Sequence, residues 1–149
     1  MVKNKKDSPK PWFWTFRIKV YMRHDLISDV FTILKNAENV GKKECIVEAS
    51  NLTKNILKVI QQHKYIGDFE FIDDGKGGKF KIQLLGRINN CNSIRPRFSV
   101  RKDELIKYEK RYLPADKVGI LLITTSKGVF DHSIAKKEKV GGKLLGFIY

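Results

Sequence analysis

The chain is short of acid. Its 149 residues carry 16 Asp and Glu against 30 Lys and Arg, a formal net charge of +14. A surface so unbalanced repels itself, and a polyanionic partner relieves the repulsion. Long apolar runs are also missing. None approaches the ~18 residues that a bilayer-spanning helix needs; helix faces that mix acids with bases make an anionic membrane surface less favoured, and no membrane partner is expected. Cysteine is scarce: Cys45 and Cys91 lie far apart and neither belongs to a CxxC pair. That excludes a disulfide framework and a zinc ribbon, and leaves two reduced thiols in a cytoplasmic protein as the expectation. His24, His63 and His132 are scattered, so no metal site and no cofactor is expected. Near the N-terminus, Arg17 and Lys19 interrupt the only stretch that could have resembled a signal peptide.

What remains is an ordinary core-forming content, 42% hydrophobic, in a chain long enough for one domain or two small ones. Residues 1–11 are basic with two prolines and read as a tail, and 12–21 alternate as a strand would. From 25 to 38, Leu26, Ile27, Val30, Phe31, Ile33, Leu34 and Ala37 follow helical spacing, with Asp25 as N-cap. A short strand ECIVEA leads to a second helix from Ser50 to about His63, with Ser50 as its cap. Residues 65–73 and 79–85 flank the glycine-rich turn DGKGG as a hairpin. The segment 86–93 is rich in turn formers and marks a boundary. Beyond it the pattern predicts a strand at 94–100, a helix at 103–110, an apolar strand at 118–124, a short helix around 131–138 and a last strand KLLGFIY. The class is α+β: two small packed α+β domains, the first α-β-α-β-β and the second mostly β with short helices. The expected divisions are 1–21, 22–88 and 89–149.

Catalytic motifs fail one by one. GKGGK at 75–79 lacks the phosphate-loop pattern and joins two strands. No serine sits in a nucleophile elbow. Asp131-His132 and His24-Asp25 are neighbours in sequence only, which says nothing about a triad. The basic groups carry more information. Lys42, Lys43, Arg95, Arg97, Arg101, Lys102, Lys127, Lys136, Lys137, Lys139 and Lys143 recur in or beside loops, and as a set they suit phosphate contact. In IRPRFSVR, Arg95 and Arg97 are the arginines for that purpose, while Phe98 fits inward packing.

The stretch LLITTSKGVFDHS ends an apolar strand in hydroxyls, a lysine and a glycine. Such groups can enter a shallow RNA minor groove and meet 2′-hydroxyls, sugars and phosphates. They can equally form a plain polar turn, and the residues alone leave both readings open. Gly141-Gly142 would let the backbone approach a ligand closely.

The same stretch carries a resemblance. TTSKGVFDHSIAKKEKVGGKLLGFIY resembles the C-terminal signature of the universal small-subunit ribosomal protein family S-eight. ILKNAENVGKKE, YIGDFEFIDDGKGG, LLGRIN and IRPRFSV resemble its archaeal and eukaryotic branch in order and spacing, over residues 23–149. The resemblance implies two packed α+β domains and binding to the central domain of the small-subunit rRNA in support of subunit assembly and translation. Neighbouring small-subunit proteins would be the other partners, with no small-molecule substrate. It places the main RNA contact on Thr124, Thr125, Ser126, Lys127 and Gly128, with Gly141, Gly142 and Lys143 alongside and a second contact at Ser50. Here Asn51 replaces the family's usual lysine, and Lys54, one turn on, is positioned to substitute. Lys64 stands where the family has glycine, which implies strain at that helix end, and Phe130 replaces a methionine. Members of the family begin near Met22, so residues 1–21 read either as a basic, aromatic extension or as a start placed too early. The alternative function is a general RNA-binding or regulatory module acting off the ribosome, and an enzyme comes third.

Overall fold

A computed structural model describes residues 25–149; the strand expected at 12–21 lies outside them. The order of elements is α1 (Leu26–Asn39), β1 (Glu44–Glu48), α2 (Asn51–Gln62), β2 (Ile66–Ile72), β3 (Lys79–Leu84), β4 (Cys91–Ser93), β5 (Ser99–Val100), α3 (Leu105–Tyr112), β6 (Ile120–Thr125), β7 (Gly128–Asp131), α4 (His132–Lys137) and β8 (Gly142–Ile148), with a 3-10 turn at Lys102–Glu104 before α3. Two antiparallel sheets result. The first has the order β1-β3-β2, and the second β4-β8-β6-β7 with β5 also on β8. The protein is α+β, as its pattern predicts, with the helical part first and the sheet-rich part after it.

The helices start where the sequence supplies a cap. Asp25 accepts from the Ile27 amide, Ser50 from Thr53 and Asp131 from Ile134, each satisfying an amide that has no partner within the helix. These three helices also stop in the same way. At the end of α1, Gly41 N–H donates to Glu38 O and Lys42 N–H to Ala37 O; at α2, Lys64 to Gln61 and Tyr65 to Ile60; at α4, Lys139 to Lys136 and Val140 to Ala135. This double bond pair is the Schellman motif, which requires a left-handed residue at its centre. Gly41 supplies one at φ 72, but at the other two ends lysines do so, Lys64 at φ 58 and Lys139 at φ 54.

The main core is shared by the two sheets. Phe31, Leu34, Ile56, Leu57 and Ile60 from α1 and α2 join Ile82 from the first sheet with Ile120, Leu122, Leu145 and Ile148 from the second. A second cluster, with Leu105, Leu121, Ile123 and Leu144, lies under α3. Strand β6 therefore feeds two cores, Ile120 and Leu122 one way, Leu121 and Ile123 the other. That explains its unbroken apolar run, the mark of a strand covered on both faces. Gly146 is required at the seam, because a Cβ there would lie 2.7 Å from the Phe31 ring and 2.7 Å from Asn92 O. Cys91 Sγ donates to Phe31 O at 3.4 Å. Burial pushes the Cys45 thiol up to about 11 and the Cys91 thiol to about 12, so both are held as thiols.

The region 91–100 departs from expectation. The turn-rich Cys91–Ser93 pairs with Gly146–Ile148 as β4, whereas 94–98 is irregular and only Ser99–Val100 is strand. Pro96 has no N–H to give to a ladder and follows a cis bond. Phe98 is half-buried and packs on Tyr108 with ring centroids 5.7 Å apart.

Candidate nucleic-acid interface

The β6–β7 hairpin carries the hydroxyl cluster, and its turn closes on itself. Thr125 Oγ1 donates to Gly128 O at 2.9 Å and accepts from the Lys127 amide at 3.2 Å. The Thr125 hydroxyl is thus consumed in shaping the turn, and Gly128, at φ 131, takes a conformation that suits glycine. Among the described residues the hydroxyls of Thr124 and Ser126 have no hydrogen-bond partner, and Ser126 is exposed. They are the groups left to meet a ligand.

Sheet register brings the second predicted segment to the same place. Lys143 on β8 stands between Thr124 of β6 and Ser99 of β5, so the three residues form one cross-strand row. An open cleft is lined by Thr124, Thr125, Ser126, Gly141, Gly142 and Lys143, together with Ser99, Val100, Arg101 and Glu104. The last four escaped the site reading from sequence. Arg101 belongs to the basic set, but only the pairing of the two-residue strand β5 with Gly142 and Lys143 puts it here.

The glycine pair has a structural use. A Cβ at Gly141 would lie 2.6 Å from Val100 O, and one at Gly142 would strike Thr124 O and approach Ile123 Cγ2 at 2.8 Å. Their bare Cα atoms let β8 close on its neighbours, and that closure builds the cleft wall.

Other predicted contacts are occupied by partners within the protein. Lys127 Nζ is 2.9 Å from Glu138 Oε2, an exposed pair worth little. Ser50 is the cap of α2, with its Oγ 2.8 Å from Thr53 Oγ1, while Lys54 is exposed on the first turn. Arg95 and Arg97 lie outside the cleft. Each places Nη2 on one oxygen of Asp25, at 2.7 and 2.8 Å. Burial works against charge on Asp25, but the Ser28 hydroxyl, both guanidinium groups and the Ile27 amide outweigh it and hold the carboxyl below its usual range.

A second concavity lies between α3 and α4, lined among others by Glu109, Lys117, His132 and Lys136, with His63 and Tyr65 nearby. Its ionisable groups serve the structure. Asp131 caps α4 and meets His63, His132 Nδ1 accepts the buried Leu121 amide at 3.1 Å, and Lys136 meets Glu109 at 2.6 Å. Asp131 and His132 begin a helix, as their place in the sequence predicts. Among the described residues no group of three or more His, Cys, Asp or Glu could hold a metal ion, and no helix is long and apolar enough to cross a membrane.

Comparison with known proteins identifies the family. The family model described as ribosomal protein S8 matches residues 25–149. A protein of Thermoplasma volcanium named small ribosomal subunit protein uS8 is 50% identical over 129 residues, which cover 86% of this chain and the whole of that protein. Relatives of the same name from Caldivirga maquilingensis and Methanosphaerula palustris are each 48% identical, over 126 and 128 residues, covering 97% and 98% of their own lengths. A match of this extent, in which nearly the full length of each relative is covered, shows that the chain belongs to the ribosomal protein S8 family.

Proposed function

We propose that the chain is a structural component of the small ribosomal subunit in the cytoplasm, where it grips the central domain of the small-subunit rRNA and supports subunit assembly and translation. Neighbouring small-subunit proteins are its other partners. The family is one of structural proteins and not of enzymes. The observation that carries the reading is the cleft between β5, β6 and β8. There the unpartnered hydroxyls of Thr124 and Ser126 stand beside Lys143 and Arg101. Short hydroxyls can reach into the shallow minor groove of an RNA helix while flanking cations take phosphates. Thr125, Lys127 and Gly128 hold the hydroxyls at the right height. Arg95, Arg97, Ser50 and Lys54 form a more distant set of contacts whose cations add charge along the backbone.

The test is binding of the full chain to a small-subunit rRNA fragment across a salt series. Log K should fall by about 0.7–0.9 per phosphate contacted against log salt. Ser126→Trp, placed in the cleft, should weaken binding at least about tenfold, equivalent to ~1.4 kcal/mol. Lys76→Ala, at the exposed tip of the other sheet, is the control and should change it little. Salt-independent binding, or equal effects of the two substitutions, would reduce the loop to a turn. Cosedimentation with small subunits in stoichiometric amount separates this role from an RNA-binding module acting elsewhere.

A further inference from the structure

The charge of the chain is unevenly distributed. The three strands of the first sheet and the β2–β3 turn, residues 44–48 and 66–84, hold three lysines against six carboxylates, a net charge of −3 in a chain of +14. Two of the lysines are already neutralised within the unit, Lys81 by Glu44 at 2.8 Å and Lys79 by Asp74 at 3.3 Å. The rest of the chain therefore stands at +17, and RNA has little reason to settle on this side.

The same unit exposes apolar surface and backbone. Phe71 is 58% exposed, Ile46 53% and Ile72 41%. Among the described residues β2 pairs only with β3, on one of its two sides. Among the described residues its outer edge pairs with no strand, and beyond an irregularity between Ile66 and Phe69 it runs in regular register over Phe69–Ile72. Glu70 projects from the open face of the sheet and Phe71 from the other, because they pair with Lys81 and Phe80 of β3. An open edge of this length is a template for an added strand.

We propose that the outer edge of β2 docks an extended, basic segment of another protein as a fourth strand. Main-chain bonds to Phe69–Ile72 supply the attachment. Cationic side chains on the segment meet Glu70 on one face, while its alternate apolar side chains lie along Phe69 and Phe71 on the other. The partner is a polypeptide because the surface is acidic, and extended because the edge is a strand. This inference stands on charge and sheet topology and is independent of the RNA-binding cleft on the other sheet.

The experiment places a photoreactive benzoylphenylalanine at Phe71 of the full chain in living cells and identifies the cross-linked peptide by mass spectrometry. A cross-link to a Lys- and Arg-rich segment of a different protein is expected. Charge reversal by Glu70→Lys in the same chain should reduce that cross-link at least about tenfold, and a synthetic peptide of the captured segment should bind the isolated wild-type chain more tightly than the variant. Cross-links to RNA, to residues 1–24 of this chain, to a second copy, or to nothing would overturn the proposal, as would a yield indifferent to Glu70→Lys. Binding of the Glu70→Lys chain to the rRNA fragment reports separately on the ribosomal role. A captured basic protein from outside the ribosome would sink that role while leaving the strand edge as the docking site.

Discussion

His63 Nε2 lies 3.0 Å from Asp131 Oδ2, joining the residue that ends α2 to the residue that begins α4. The two are 68 positions apart in sequence, and this contact fastens the helical half of the protein to the hairpin that carries Thr124–Gly128. Asp131 is 2% exposed and also holds the Ile134 amide. Hydrogen bonds to a charged group contribute about 1.5–3 kcal/mol, less here because the His63 side chain is 35% exposed. Replacing His63 by Ala should cost about 1–2 kcal/mol in urea unfolding. A loss within error would mean that the α4 amide alone satisfies Asp131.

Stability should fall as acid is added below about pH 6.5, and His132 is one named cause. Burial lowers its pKa, an effect that Glu109 and Asp131 oppose and that Lys136 and His63 reinforce. Geometry gives the same direction, since Nδ1 accepts the Leu121 amide and cannot do so once protonated. The unfolded chain then binds more protons than the native one, so unfolding free energy rises with pH up to the unfolded value and is lost as pH falls toward the folded one. His132→Gln should flatten the curve of urea midpoint between pH 7 and 5. An unchanged slope would assign the effect to other groups.

Substituting Gly142 by Ala should damage fold and cleft together. Its Cβ would meet Thr124 O and Ile123 Cγ2, and backbone cannot rotate away as a side-chain tip can. Overpacking of this kind costs about 1–3 kcal/mol. The rRNA affinity should drop as well, because β6 must move from β8 to relieve the contact. Gly77→Ala, which meets nothing within 4 Å, strains only its own backbone and should leave RNA binding unchanged. Loss of stability without loss of affinity in Gly142→Ala would separate the cleft from its wall.

Lys64→Gly and Lys139→Gly should each stabilise the protein. Both lysines hold the left-handed centre of a Schellman turn, where a Cβ costs roughly 1 kcal/mol that glycine avoids. Part of the gain is offset by the looser unfolded chain. A rise of about 0.5 kcal/mol at each site is expected in thermal unfolding. A fall would show that the lysine side chains pack usefully.

Local signals announced the elements that local chemistry decides. Asp25, Ser50 and Asp131 cap the helices their positions imply, and Lys64 marks strain that the family glycine would remove. The alternation of Phe80, Ile82 and Leu84 places the buried face of β3 as observed. What tertiary pairing decides was hidden. Cys91–Ser93 reads as loop because its partner is the end of β8, more than 50 residues away. Arg95 and Arg97 read as free cations because nothing in their own stretch names Asp25. The hydroxyl cluster could be seen, but the division of labour within it could not. That Thr125 is spent on the turn while Thr124 and Ser126 stay open depends on atoms placed by the hairpin.

Because α1 and α2 are packed between the two sheets, neither half retains its interior when the other is removed. A fragment carrying only the second sheet would expose Ile120, Leu122, Leu145 and Ile148 to water. The chain should therefore melt in a single step, with amide exchange in β6 as slow as in α1. A lesion at Phe31, remote from every hydroxyl in the cleft, would be felt as weakened grip on RNA.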